Sequence, residues 1–472
     1  MSFAVPLFLW YFLPAVLLAT WVLPKSARNG VLAVSSLGFY AVGGKEFVFL
    51  LLALIAINYT AGLVIGGLPP RWRKPLLVTT VVLDLAVLAV WKYAGFASTV
   101  VHSMASAIGI GDTRLISLAL PIGISFFTFH HLSYVVDIYR GSRVPMRNPL
   151  TFITYIAMFP QLVAGPIVRY HEIADQLRDS DRDRMANFIE GFPRFAWGLF
   201  KKVVIADSLA PVADAAFATS DPSTATAWIG ALAYTGQIYF DFSGYSDMAI
   251  GLGLMFGLRL PENFARPYSA ISVTDFWRRW HQSLSSWFRD YLYVPLGGNR
   301  GGTFKTYRNL SIVFLTTGLW HGAAWTFIIW GAYHGLLLII ERATGLGRST
   351  KWAAPRRAIT FLLVIFGWVL FRAADLPAAG RMLGAMLNPL HGWDLPPELA
   401  MLLSGHRIAL LVLVVASAMI PAAWVSGRVI DGMQEAPTWA RRTMRSLALA
   451  AAPYAAIVTV AGTFSPFLYF QF

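Results

Sequence analysis

LSIVFLTTGLWHGAAWTFIIWGAYHGLLLII, Leu310 to Ile340, runs for thirty-one residues without an Asp, Glu, Lys or Arg, yet His321 stands near its middle. A bilayer core is crossed by roughly 20 helical residues, so the stretch is about half as long again as one span requires. Two readings follow: a strongly tilted helix that continues beyond the membrane, or two shorter legs broken at a glycine. An ionisable side chain in such a segment is costly to bury and marks a site or a pathway. On a continuous helix its neighbours three and four residues away are Thr317, Gly318, Ala324 and Trp325. Three of these are small, which predicts room for a ligand on one flank of the imidazole and an aromatic wall at Trp325. The competing reading is a core histidine satisfied by a helix carbonyl.

Outward from this stretch, the chain of 472 residues is 57% hydrophobic and 13% charged, with mean hydropathy +0.58. Near-uncharged runs of spanning length occur at Phe3–Leu23, Phe47–Gly67, Pro75–Val90 and Leu115–Val136. This predicts a polytopic, all-α integral membrane protein, arranged as one domain over residues 1–472 with no internal repeat. The first run has no basic n-region and no small-residue cleavage site, so it is read as a retained span. The absence of cysteine excludes disulfides, thiol nucleophiles and cysteine metal sites. A net charge of +14 does not point to nucleic acid, because the basic residues sit in short loops beside apolar spans. Lys25 and Arg28, then Arg71, Arg73 and Lys74, then Arg140, Arg143 and Arg147 fall in three such loops. A positive-inside count puts these three loops on the cytoplasmic side and both termini outside.

The middle of the chain is irregular. Phe152–Val168 contains FPQLVAGP and reads as a broken or re-entrant segment. Ala225–Leu260 is predicted to break at Asp241-Phe-Ser-Gly-Tyr-Ser-Asp247, with both carboxylates holding local backbone amides. Polar insertions at this density imply a funnel or tunnel. In Ser272–Val294, Phe276, Trp277, Trp280, Leu284, Trp287, Phe288 and Tyr291 share one face at helical spacing, which predicts an interfacial amphipathic helix. His281 falls at the edge of that stripe, either packed between Trp277 and Leu284 or turned inward to function. Arg278 and Arg279 are read as a solvated face on lipid phosphates. His334 is read as structural. No zinc spacing and no phosphate-binding loop is present, so no metal is expected. The last six residues, Phe467-Leu-Tyr-Phe-Gln-Phe472, form either an interfacial anchor or a tail at the outer mouth that receives a partner or places Tyr469 near the acyl group.

Six motifs in order carry a resemblance: LPIGISFFTF (120–129), VDIYRG (136–141), FPQLVAGP (159–166), YFDFSGYSD (239–247), DFWRRWHQS (275–283) and GLWHG (318–322). Together they resemble the membrane-bound O-acyltransferases, and within them the bacterial alginate O-acetyltransferase branch, over nearly the whole chain. The resemblance implies a multi-helix bundle with re-entrant and interfacial helices around a central tunnel. The donor would arrive from the cytoplasm and the acceptor from outside. It implies catalysis at His321, with His281 as a second polar residue on the route. Trp320, Gly322, Trp325, Thr317, Asp241 and Asp247 would line or support that route, and Phe467, Tyr469 and Phe472 would serve a partner or acyl relay. His130-His131 departs from the family pattern and is given no role.

The implied reaction is transfer of acetyl from a co-substrate, acetyl-CoA or an acyl carrier, to an exported polysaccharide at the bacterial inner membrane. No cofactor is held permanently, and periplasmic acetyltransferase or polysaccharide-modifying proteins are the implied partners. A neutral imidazole suits this chemistry as a general base for a sugar hydroxyl. Alternative acceptors are cellulose, peptidoglycan and teichoic acid. The rival from another class is a proton-coupled transporter, which should show paired halves with corresponding broken helices; the sequence shows no such duplication.

Overall fold

The second reading of the Leu310–Ile340 stretch is correct. In the computed structural model the chain forms one helix over Thr303–His321 and a second over Trp325–Thr344, folded back on the first. Glycines permit the close approach: a Cβ on Gly318 would lie 2.3 Å from the Phe327 carbonyl oxygen, and one on Gly331 2.3 Å from that of Phe314. Gly318, three residues before His321, therefore serves the packing of the two helices.

The structure describes residues 2–110, 114–179, 184–349, 351–420, 438–461 and 467–468. Among them there is no strand. The helices are α1 (Leu13–Val22), α2 (Arg28–Gly44), α3 (Phe47–Gly67), α4 (Pro70–Ala107), α5 (Ile124–Tyr139), α6 (Pro149–Ala157), α7 (Phe159–Leu162), α8 (Tyr170–Arg178), α9 (Arg184–Phe200) and α10 (Asp207–Ala218). They continue as α11 (Thr224–Met255), α12 (Val273–Arg279), α13 (Gln282–Phe288), α14 (Thr303–His321), α15 (Trp325–Thr344) and α16 (Ala353–Arg372). Last come α17 (Leu376–Leu387), α18 (Pro397–Leu402), α19 (Gly405–Met419) and α20 (Thr438–Ala461). By length and composition, α3, α4 and α16 could each cross a bilayer. The chain divides into two compact units: Met1–Phe192 with Ala249–Pro261, and Pro193–Met248 with Glu262–Phe472.

In the first unit α3, α4 and α5 pack side by side. Asn58 on α3 donates to Asp84 on α4 at 2.9 Å, so a polar side chain inside each apolar helix meets one on the other. The run Leu115–Val136 is not one span, because α5 begins only at Ile124, after Gly123 at φ +75°. A Cβ at Gly123 would also lie 2.5 Å from the Leu162 carbonyl oxygen. The FPQLVAGP segment is broken as expected: α6 ends at Ala157, Met158 separates the helices, and α7 is a single turn starting at Phe159-Pro160.

In the second unit two expectations fail. The DFSGYSD segment does not break its helix; α11 runs through it without interruption. Lysines and an arginine satisfy its carboxylates, so the backbone has no need to open. A close approach adds to this: a Cβ on Gly244 would lie 2.7 Å from the Gly198 carbonyl oxygen. Ser272–Val294 is not one amphipathic helix either. It divides into α12 and α13 at His281, whose φ of +45° is left-handed. The apolar stripe is nonetheless inside, with Phe276, Trp277, Trp280, Leu284, Trp287 and Phe288 all buried.

Candidate active site

His321 is the last residue of α14 and is 3% exposed. Gly322 ends the helix in extended backbone, and a Cβ there would lie 2.1 Å from the Phe327 ring. The imidazole is enclosed by aromatic rings: Trp330 at 5.0 Å between centroids, Phe371 at 5.1 Å and Trp320 at 5.0 Å, each met nearly edge to face. Trp325 is not part of this wall. The break at Gly322 makes it the first residue of α15, where it is 52% exposed. Thr317 is buried, and its hydroxyl donates to the Val313 carbonyl of its own helix at 2.8 Å.

His281 lies 6.5 Å from His321 between ring centroids, and 6.0 Å from Trp320. Two histidines forty residues apart in sequence thus share one site. His281 is fully buried, and Phe242 packs edge-on against it at 4.7 Å. Burial pushes its imidazole down to about 3, favouring the neutral ring. Its left-handed backbone costs on the order of 1–3 kcal/mol, which the surroundings must hold in place.

Asn263, a residue sequence reasoning passed over, provides that hold. Its carbonyl accepts from the backbone N–H of Gln282 at 2.9 Å. Its side-chain Oδ1 accepts from the Ser283 backbone N–H at 3.3 Å and the Ser283 hydroxyl at 2.9 Å. The same Oδ1 lies 3.0 Å from His281 Nδ1, and Nδ2 donates to Ser246 Oγ at 3.0 Å. A backbone N–H can only donate, so Oδ1 faces that side and His281 Nδ1 must carry the ring proton. The neutral ring is then the tautomer whose lone pair is on Nε2.

Asp241 and Asp247 sit on α11 beside this site, 1% and 4% exposed. Asp247 accepts from Arg194 at 2.8 Å and from Lys201 at 2.7 Å. Arg194 also pairs with Glu262, while Lys202 pairs with Asp241 at 2.8 Å and with Asp207 at 2.6 Å. These carboxylates answer buried cations, where a role on broken backbone had been expected. Asp241 does meet one amide: its Oδ2 accepts from the Leu468 backbone N–H at 2.9 Å. Phe467 is buried, stacked on Tyr245 at 4.4 Å and 5.9 Å from Phe242. Tyr469 and Phe472 lie outside the described residues.

Trp330, Phe371 and Phe242 were not singled out from sequence, because ring packing across helices leaves no local signature. The paired cations Lys201-Lys202 did carry a signal. Two adjacent charges in an apolar run demand buried anions, and Asp241 and Asp247 were the candidates at hand. His334 stands on α15 apart from the two-histidine contact, with its Nδ1 facing Trp277 Nε1 at 3.3 Å. Among the described residues no group of three His, Asp or Glu side chains gathers to hold a metal ion.

The model of the membrane-bound O-acyltransferase family matches residues 142–374, which include both site histidines. The chain is 44% identical to a probable alginate O-acetylase of Pseudomonas putida, with all of both chains covered. It is 48% identical to one of Azotobacter vinelandii over 88% of this chain and 83% of that one. It is also 39% identical to a peptidoglycan O-acetyltransferase of Helicobacter pylori over 82% of this chain and 80% of that one. The chain belongs to the membrane-bound O-acyltransferase family.

Proposed function

We propose that this acyltransferase moves acetyl groups from a cytoplasmic donor, acetyl-CoA or an acyl carrier, across the inner membrane for O-acetylation of an exported polysaccharide, with alginate as the acceptor. The observation that carries the mechanism is the pairing of His321 and His281 inside an aromatic enclosure. His321 acts as general base. The acceptor hydroxyl attacks the acetyl carbonyl, its proton passes to the imidazole, the new C–O bond forms as the C–S bond breaks, and the proton leaves with the thiolate. The enclosing rings keep water from the activated acyl group. His281, held by Asn263 with its lone pair on Nε2, serves as a supporting polar residue for the acyl group or acceptor. Trp330 supports the same chemistry: its indole N–H is buried beside His321 with no hydrogen-bond partner among the described residues.

Transfer is completed either directly on the glycan or by relay to a periplasmic acetyltransferase, with Tyr469 and Phe472 serving the partner at the outer mouth and the buried Phe467 anchoring the tail against Tyr245. The alginate acceptor is supported by the names of the Pseudomonas and Azotobacter relatives. The Helicobacter relative supports a second acceptor, peptidoglycan. Acetyl-ester analysis of exported glycan and of cell wall, in a deletion strain complemented with wild type or His321→Ala, tests the proposal. The expected result is loss of esters from the exported polymer with export unchanged. Loss of export itself would point to a transporter, and full acetylation by His321→Ala would remove His321 from the chemistry.

A further inference from the structure

Attack on the acetyl carbonyl puts negative charge on its oxygen, and a fixed hydrogen-bond donor at that oxygen is usually the largest single contribution to catalysis. The two histidines do not provide it. His281 donates its ring proton from Nδ1 to Asn263 and presents a bare Nε2, while His321 takes the proton of the acceptor hydroxyl. The Thr317 hydroxyl donates to the Val313 carbonyl of its own helix.

Trp330, on the second turn of α15, is fully buried. Five rings hold its indole: His321 at 5.0 Å between centroids, His334 and Phe371 at 5.1 Å, Trp277 at 5.7 Å and Trp368 at 6.2 Å. Its N–H meets no acceptor among the described residues. A buried N–H without an acceptor is costly and calls for an explanation.

The neighbouring rings offer no acceptor. Phe371, Trp277 and Trp368 have none in their side chains. His334 has one, and it is taken: Trp277 Nε1 donates to His334 Nδ1 at 3.3 Å. An indole N–H can only donate, so that nitrogen carries no hydrogen and the ring's single proton lies on Nε2. Nε2 also faces backbone, since a Cβ on Gly367 would lie 2.7 Å from it. The remaining neighbour is His321, whose ring Trp330 meets at 88° with no hydrogen bond from the indole. An indole donor thus lies against the imidazole with its hydrogen uncommitted.

We propose that Trp330 is a catalytic residue of acyl transfer: its indole N–H donates to the carbonyl oxygen of the acetyl group at His321 and stabilises the oxyanion that follows. The assignment rests on the acyl-transfer reading of the site. As the acceptor hydroxyl attacks, the C=O electron pair moves onto this oxygen and His321 takes the hydroxyl proton. When the pair returns, the C–S bond breaks and the thiolate leaves with the proton from His321. The indole hydrogen stays on its nitrogen throughout. A neutral donor suits an enclosure of aromatic rings, where an unpaired cation would be costly to bury.

The test is the rate at which acetyl esters appear on exported glycan and cell wall in a deletion strain complemented with full-length variants, beside thermal unfolding of each purified protein. Benzothienylalanine in place of Trp330 exchanges the N–H for sulfur and keeps the ring's size. Its rate should fall about 100- to 1,000-fold with unfolding near wild type. Trp330→Phe also lacks the N–H and should lose at least as much, which keeps the test open if the first variant does not fold. A fluorotryptophan that retains the N–H should retain the rate. A wild-type rate in a folded variant without the N–H, whatever its unfolding temperature, would reduce the N–H to ring packing and overturn the proposal. So would an equal loss with fluorotryptophan. His321→Ala separates the two levels: its failure beside a wild-type rate without the N–H removes Trp330 alone, whereas full acetylation by His321→Ala removes the reading of the site as well.

Discussion

Replacing Asn263 with alanine separates what holds the site from what merely surrounds it. The asparagine side chain makes four hydrogen bonds: Oδ1 to His281 Nδ1 and to the amide and hydroxyl of Ser283, and Nδ2 to Ser246 Oγ. Hydroxyls can turn to other partners, but the ring N–H of His281 and the amide N–H of Ser283 cannot. Removing the acceptor of a buried donor costs about 1–3 kcal/mol, so Asn263→Ala should lose about 2–6 kcal/mol in all. The Ser283 share falls on stability. The His281 share falls on the site, because the ring is free to turn or to move its proton to Nε2; about 1–3 kcal/mol there corresponds to roughly 5- to 150-fold in rate. Asn263→Asp keeps both acceptor contacts, and Ser246 can then donate in return, so its melting temperature should stay near wild type. Acetyl transfer by purified protein in nanodiscs, read beside thermal unfolding, checks both shares. The ¹⁵N shifts of the His281 ring should show protonated Nδ1 and bare Nε2 in the wild type. Wild-type turnover by a folded Asn263→Ala, or a wild-type spectrum with the proton on Nε2, would refute the reasoning.

Two further outcomes follow from buried charge. Lys202→Met leaves Asp241 without its close cation and should destabilise the protein by about 3–5 kcal/mol, whereas Lys202→Met/Asp241→Leu should recover most of that loss; thermal unfolding of the pair decides it. The second concerns pH: burial holds the His281 imidazole near 3, against about 6.5 when unfolded. The unfolded chain therefore binds the extra proton between those values, so this contribution to stability is complete above pH 6.5 and is lost as pH falls toward 3. His281→Gln should flatten that part of the acid limb in melting temperature against pH, and an unchanged limb would contradict the assignment.

Class and motif were legible because they rest on composition and local spacing. Charge-poor runs exclude a soluble fold, and GLWHG sets an imidazole beside glycine in an uncharged stretch. The face of Ser272–Val294 was legible too, since buried aromatics recur at helical spacing even where the helix is cut. The cut itself was not, because His281 adopts positive φ without a glycine or proline to announce it. Trp325 was misplaced for a related reason: its spacing from His321 had meaning only on a continuous helix, and Gly322 ends that helix. Asn263 left no trace because its importance lies in what folding brings to it, from residues 246, 281 and 283.

The DFSGYSD segment shows why polarity in a membrane protein is a poor guide to backbone breaks. On an unbroken α11, five of its side chains meet partners on other segments. Asp241 meets Lys202 and the Leu468 amide, Phe242 the His281 ring, Tyr245 the Phe467 ring, Ser246 the Asn263 amide, and Asp247 both Arg194 and Lys201. Replacing such buried pairs by apolar residues is often neutral or better for stability, so raw stability does not account for them. Their consequence is register. A rise of about 1.5 Å and a turn of about 100° per residue mean that slipping α11 by one position would separate both carboxylates from their cations at once. The close pass of Gly198 and Gly244 imposes the same register through sterics. With that register set, Phe242 and Ser246 fall against His281 and its asparagine. The charges on one part of the helix surface thereby fix the position of a neutral imidazole on another.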